Sequence, residues 1–285
     1  MKKQQKLLLG AHISIAGGMQ NIFDRAESIG CTALQFFTKS NRQWKAKKLA
    51  SEDVETFKQA KNNSSIKHTM VHASYLINLG SPNEQTQEKS KDALIVELDR
   101  CNTLEVPYLI LHPGSHLKTD KQECLERIAQ SLNEIFEKYP GKTSILLETM
   151  AGQGSSVCHQ FEDLAFLLSK IKNKKRVGIC FDTCHVFAAG YDFSTKENYK
   201  KMWQEFDEIV GIKNIKAFHI NDSKKDCGSK VDRHENIGKG KMSLNSFKLL
   251  FNDPQFFSVP KVLETPDGTL EEYAKNIEVI KKLIF

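Results

Sequence analysis

No stretch of this 285-residue sequence stays apolar for the roughly 18 residues that a membrane-spanning helix needs, so a helical membrane protein is not expected. Nothing in it reads Cys-x-x-Cys. Its seven cysteines are an odd number and scattered, which argues against a disulfide framework and against a cysteine-ligated zinc site. Most are expected to be small buried apolar residues. Low-complexity tracts and Pro/Gly/Ser-rich linkers are also missing, so nothing marks a domain boundary and one domain over residues 1–285 is expected. The opening MKKQQKLLLGAHIS starts like a secretory leader, but its apolar part is only LLLGA before His12 and Ser14. It reads as a first strand, and the expected location is cytoplasmic.

Charge is not short, but it is only mildly one-sided. A formal net charge of +6 and a pI near 8.8 are compatible with a polyanionic partner without requiring one. The basic runs KAKK (45–48) and KNKKR (172–176) are ordinary for solvated faces.

What is present is a rhythm. Short apolar runs fit for buried parallel strands alternate with longer stretches of helical periodicity. The runs are Leu7–Ser14, Thr32–Thr38, His68–Ser74, Tyr108–Pro113, Ser144–Thr149, Val177–Thr183, Ile215–Asn221 and Val259–Thr265. Between them, Ser81-Pro82-Asn83-Glu84 reads as a capping box with proline at the first helical position, followed by an apolar face of Leu94, Leu98 and Cys101. Thr269 to Glu272 repeats the box after a Pro266-Asp267-Gly268 turn. Eight strands alternating with helices over about 250 residues predict an α/β fold, a (β/α)8 TIM barrel, in preference to a doubly wound open sheet.

Six consecutive runs end on a histidine or carboxylate: His72, His112, Glu148, Asp182, His219 and Glu264. In a barrel those ends converge on one mouth, where the chemistry of this fold sits. Three more candidates follow strand ends in predicted loops: His185 in DTCH, and Asp232 and His234 in VDRHEN. One such histidine is usually a hydrogen-bonded rim residue, but six in register are not a coincidence of composition. Buried together without cations, these groups would cost several kcal/mol per uncompensated charge. Divalent metals remove that penalty, and nine ligands exceed what one tetrahedral zinc uses, so two or three ions are implied. A sulfur-free His/carboxylate set suits zinc, manganese or iron, and by itself points to a metallohydrolase or a metal-dependent isomerase.

The strings VHASYLINLG, LHPGSH, LLETMAGQG, GICFDTCHVFAAGYD, FHINDSK, VDRHENIG and KVLET, all in order, make the chain resemble the endonuclease IV family of abasic-site endonucleases. The likeness runs from GAHIS to the last strand. It implies three zinc ions per chain, with His72, His112 and Glu148 holding one, and Glu148 bridging to a second completed by Asp182, His219 and Glu264. The third falls to His185, Asp232 and His234. The implied reaction is hydrolysis of the phosphodiester 5′ to an abasic site in duplex DNA, leaving a 3′-hydroxyl and a 5′-deoxyribose phosphate. Trimming of blocked 3′ ends is implied as well. Glu148 and Glu264 would position or deprotonate the nucleophile. The resemblance further implies a monomer, associated with the nucleoid if the source is bacterial. Recognition of a missing base requires side chains that probe the stack. Arg42, Gln43, Tyr75 and Leu76 follow the second and third strands and are the candidates for that role, with Arg42, Tyr75 and Leu76 as wedges; Trp44 reads as packing.

Lys239 and Lys241, in NIGKGKMS before a helix, could meet phosphates. His12 ends the first strand beside the ligands, whereas His68, His116 and His159 have no place in the pattern. Lys2, Lys3 and Lys6 lengthen the start that the family usually has. Two other readings remain. A sugar isomerase or epimerase would use a similar barrel mouth but needs a proton-abstracting base and a polyol pocket. A metal-stabilised DNA-binding protein would hold abasic DNA without cutting it.

Overall fold

The computed structural model describes residues 7–285, so Lys2, Lys3 and Lys6 lie outside the described residues. Eight parallel strands form the centre of the fold: β1 (Leu9–His12), β2 (Ala33–Phe36), β3 (His68–His72), β4 (Tyr108–Leu111), β5 (Ser144–Glu148), β6 (Val177–Asp182), β7 (Ile215–His219) and β10 (Lys261–Leu263). They close into a barrel in the order β1, β10, β7, β6, β5, β4, β3, β2. Two short antiparallel strands, β8 (Asp222–Ser223) and β9 (His234–Glu235), interrupt the alternation after β7. The helices are α1 (Ile22–Ser28), α2 (Ser51–Asn63), α3 (Glu84–Thr103), α4 (Lys121–Lys138) and α5 (Phe161–Lys170). They continue with α6 (Thr183–Ala189), α7 (Lys196–Ile209), α8 (Leu244–Phe251) and α9 (Leu270–Lys281). Each of the eight predicted runs contains one barrel strand, shortened by at most two residues at either end. None of the described helices is long and apolar enough to cross a membrane.

The strands are buried on both faces, which is why their sequences read as continuous apolar runs. One face packs on the helices. There Phe57 of α2, fully buried, meets Phe23 of α1 at 5.3 Å and Phe36 of β2 at 5.6 Å between ring centroids. Truncating such a ring to alanine typically costs about 3–5 kcal/mol. The other face fills the barrel with a separate apolar cluster: Ala33, Met70, Ile110, Leu146, Cys180, Ala217 and Val262. Gly10 pairs in register with Ala33 and Val262, and a Cβ there would sit 1.6 Å from the Ala33 carbonyl oxygen, so only glycine allows β1 to pass that close.

Two local readings are corrected. Ser81 does not cap α3. Asn83 does, accepting from the Thr86 amide at 2.9 Å, and Pro82 lies before the helix. Asn serves as well as Ser at this position, and a residue ahead of proline is pushed to extended backbone, which moves the start two residues on. Arg176, in the basic run 172–176, is buried, with its guanidinium over the Phe136 ring and hydrogen bonds to the Tyr139 and Thr143 carbonyls. The second box holds, since Thr269 accepts from the Glu272 amide at 3.2 Å. Leu94, Leu98 and Cys101 are buried on one face of α3. All seven cysteines are free, six buried and Cys227 exposed.

Candidate metal centre

The pleat alternates side chains every second residue, so the residue two positions past each interior residue also faces the barrel axis, nearer the mouth. Two past Gly10, Ala33, Met70, Ile110, Leu146, Cys180, Ala217 and Val262 stand His12, Gln35, His72, His112, Glu148, Asp182, His219 and Glu264. The six predicted strand-end residues thus form most of one ring of eight.

Glu148 is at its centre. Its Oε2 lies 3.2 Å from His72 Nε2 and 3.3 Å from His112 Nε2. Its Oε1 lies 3.0 Å from His219 Nδ1 and 3.2 Å from His185 Nδ1. His219 Nδ1 also stands 3.2 Å from Glu264 Oε2 and 3.7 Å from Asp182 Oδ2. On the mouth side, His185 Nε2 meets Asp232 Oδ2 at 3.2 Å and His234 Nε2 at 3.5 Å. Three groups of candidate ligating atoms result, each within 4.8 Å: His72–His112–Glu148, Glu148–Asp182–His219–Glu264, and His185–Asp232–His234. Glu148 belongs to two of them. Cys184 could join Asp182 and His234 in a further group, and burial raises its thiol to about 12.

His185 and His234 are not in loops. Asp182 ends β6 and also caps α6, accepting from the His185 amide at 2.8 Å, so His185 sits on the first helical turn. His234 is held in β9 by its pairing with Ser223 of β8. Of the three residues expected in loops, only Asp232 lies in irregular backbone, its amide donating to Gln153 Oε1 at 2.9 Å.

Hydrogen bonds behind the ring fix the tautomers. The Nδ1 of His72 faces the Ala73 carbonyl at 2.8 Å, that of His185 the Thr149 carbonyl at 2.8 Å, and that of His234 the Glu264 carbonyl at 3.0 Å. The Nε2 of His219 faces Gln35 Oε1 at 2.8 Å. A carbonyl oxygen only accepts, so each of these nitrogens carries its proton, and the opposite nitrogen turns a lone pair toward carboxylate oxygens or another lone pair. Acceptors facing acceptors at 3–3.5 Å are held together by a proton on the imidazole or by a metal ion in its place. This donor set fits divalent metal ions with nitrogen and oxygen ligands.

With no metal bound, the electrostatics place protons in those gaps, where a divalent ion would displace them. Burial alone would raise the Glu148 carboxyl, but His219 and His112 beside it hold it well below its ordinary range. Burial would likewise raise Glu264 and Asp232, and the neighbouring His219 and His185 respectively hold both down. In return, against the lowering effect of burial, His72 is raised by Glu148, and His185 well above its ordinary value by Asp182 and Asp232. The cluster retains charge although most of its members are buried.

Four supporting residues went unmarked in the sequence reading. Gln35 is fully buried and gives its amide to Glu264 Oε1 and to His12 Nδ1 at 2.9 Å while accepting from His219. Asn221 donates to Asp182 Oδ2 at 2.8 Å and accepts from the Glu264 amide at 2.8 Å. Thr149 and Thr183 tie the β5, β6 and β7 ends together. The signal for Gln35 and Asn221 was a polar residue within an apolar run.

At the rim, Tyr75 is 53% exposed, yet its ring lies 5.1 Å from those of His72 and His112 and 5.8 Å from Phe37. Leu76 beside it is half-buried, and Arg42 and Gln43 are exposed. Ser74 Oγ donates to the Asn41 carbonyl at 2.7 Å, bringing the two loops side by side. Trp44 is half-buried under Lys89 Nζ, 4.4 Å from the ring centre, as befits a packing residue. Lys239 and Lys241 are exposed on a turn gathered by the buried Asp222 carboxylate, which accepts from the Ser223, Gly238, Gly240 and Met242 amides.

Barrel and ring together define a class: a (β/α)8 protein with a cluster of His/carboxylate groups at the C-terminal mouth that could hold metal ions. A family model described as a xylose isomerase-like TIM barrel matches residues 23–283. A protein named "Probable endonuclease 4" from Chloroflexus aurantiacus is 43% identical over 277 residues, 96% of this chain and 97% of its own. The crystal structure of endonuclease IV from Thermus thermophilus superposes with a TM-score of 0.85 at 34% identity, covering 96% of this chain and 98% of that one. A D-tagatose 3-epimerase-like protein matches with a TM-score of 0.70 at 18% identity, over 96% of each chain, and so shares the fold alone. This chain belongs to the endonuclease IV family.

Proposed function

We propose that this chain is a DNA-repair endonuclease. It hydrolyses the phosphodiester 5′ to an abasic site in duplex DNA, leaves a 3′-hydroxyl and a 5′-deoxyribose phosphate, and trims blocked 3′ ends. It works as a cytoplasmic monomer, one barrel domain over residues 1–285, on the nucleoid if the source is bacterial. The observation that carries this reading is the set of three ligand groups, two of which share Glu148, with histidine lone pairs turned inward.

The residues would hold three zinc ions, one at His72, His112 and Glu148, a second at Glu148, Asp182, His219 and Glu264, and a third at His185, Asp232 and His234. Bound there, the ions supply Lewis-acid stabilisation of charge developing on the phosphate oxygens and activation of water. The chain's own residues do the rest. Glu148 and Glu264, kept ionised by their histidine neighbours, position the attacking water or deprotonate it. Gln35 and Asn221 keep the Glu264 and Asp182 carboxylates aimed inward. Tyr75, Leu76, Arg42 and Gln43 reach from the rim into the duplex, where a missing base leaves room for them. An intact stack resists that entry, and this is the basis of selection.

The test is cleavage of an end-labelled duplex carrying one abasic analogue, in EDTA without added magnesium, with metal analysis of the same sample. Incision 5′ to the lesion with three zincs per chain is the expected result. A fully metallated sample that leaves the duplex intact sinks the nuclease reading and turns attention to small sugars.

A further inference from the structure

Outside the metal ring, a second group of charged side chains is buried. Lys39, Glu97 and Arg100 are 8%, 1% and 7% exposed. Lys39 Nζ lies 3.3 Å from Glu97 Oε1, and Glu97 Oε2 accepts from Thr38 Oγ1 at 3.0 Å. Arg100 Nε donates to that same hydroxyl at 3.0 Å. Two cations thus face one anion, and backbone carbonyls take the remaining positive charge. Lys39 reaches the Gln43 carbonyl at 2.8 Å and the Ser40 carbonyl at 3.5 Å. Arg100 reaches the Lys47 carbonyl at 2.8 Å and the Thr38 carbonyl.

Every carbonyl caught belongs to residues 38–47, a segment without helix or strand that carries Arg42 and Gln43. A buried ion pair is a poor way to stabilise a fold, because apolar residues of the same volume do as well or better. What it does provide is direction, since each hydrogen bond fixes one point of an otherwise irregular loop. Lys39 and Arg100 hold the loop from within, and the Ser74–Asn41 bond ties its outer edge to the Tyr75 loop. A loop ordered in advance loses less conformational freedom when it enters DNA.

We propose that Lys39, Glu97 and Arg100 are positioning residues that pre-set the Arg42–Gln43 loop for insertion into damaged DNA, with Ser74 coupling it to Tyr75. The proposal rests on the reading of Arg42 as a DNA-probing residue, so Arg42→Ala is measured alongside.

In Lys39→Met the chain length is kept and the charge removed. Its KM for abasic duplex is expected to rise about tenfold, the worth of one to a few freed side chains, with kcat within about twofold of the parent. Its Kd for intact duplex should move by less than about threefold. Ser74→Ala, which leaves the buried charges alone, should raise KM about threefold, and it decides the matter should Lys39→Met fail to fold. An unchanged KM, a loss confined to kcat, or equal losses on damaged and intact duplex overturns the proposal. A rise in KM with Arg42→Ala but with neither of the others removes the brace alone. No change in any of the three removes the DNA-probing reading and the brace with it.

Discussion

Replacing Gln35 by leucine tests whether the hydrogen bonds behind the ring set its affinity for metal. The side chain keeps its approximate volume but loses three partners at once: His219 Nε2 at 2.8 Å, Glu264 Oε1, and His12 Nδ1 at 2.9 Å. His219 is fully buried, so its N–H is left without an acceptor, at a cost of about 1–3 kcal/mol. It is then free to place its proton on Nδ1, the nitrogen that faces Glu148 and Glu264. Partners of this kind change metal affinity or activity by about 10–100-fold, or about 1.4–2.7 kcal/mol, which agrees with the cost of the orphaned N–H. Zinc partition against a chromophoric chelator reads the affinity, and incision of an abasic duplex at saturating zinc reads the rate. Affinity at the Glu148–Asp182–His219–Glu264 group should fall within that range, with the other two groups within about threefold. Affinity and rate both unchanged to within about twofold would refute the reasoning and leave packing alone to orient His219.

Three further outcomes are expected. Glu148→Gln should abolish incision, by at least about a thousandfold, while far-UV circular dichroism shows a folded barrel, since it removes a carboxylate shared by two ligand groups; near-normal activity would remove the cluster from the reaction. Tyr75→Ala should weaken binding to abasic duplex by about 1–3 kcal/mol, the worth of one aromatic stacking contact, and leave intact duplex nearly unaffected; equal losses would mark Tyr75 as packing against Phe37, His72 and His112. Lys261 is buried, and burial lowers its ammonium to about 7. Its folded value is depressed, so this group favours the folded state most above its unfolded value of about 10.4, and that contribution is lost as pH falls toward 7. The Phe256 and Val259 carbonyls and the Phe218 and Phe251 rings offset part of the effect. Between pH 7 and pH 9.5 the parent should gain roughly 1–3 kcal/mol over Lys261→Met in urea unfolding, and parallel curves for the two would show the ammonium charged throughout.

The barrel was legible because each strand is buried on both sides and therefore stands out as an unbroken apolar run. Seven of the eight ring residues were legible for the same reason, six as ligands and His12 as their neighbour, since a charge or an imidazole at the end of such a run is conspicuous. Gln35 was not. A neutral amide within Ala33–Phe36 carries no charge signal, and its importance depends on His219, Glu264 and His12, which are distant in sequence. The start of α6 was hidden because Asp182 is both the last residue of β6 and the helix cap, so no turn residues separate them. Strands β8 and β9 have two residues each, too few to show alternation. The Lys39–Glu97–Arg100 group joins a loop to a helix about sixty residues away, and no local pattern betrays such a pairing.

The apolar layer beneath the ring has a consequence for traffic. Ala33, Met70, Ile110, Leu146, Cys180, Ala217 and Val262 are each fully buried, and together they stopper the tube just below the charged residues. Water, ions and substrate therefore share one doorway, the rim that Tyr75 and Arg42 overlook. On the proposed function, a duplex seated on that rim would close the doorway, so ions would have to be in place before DNA lands. A chelator added to the complex would have to wait for the duplex to leave.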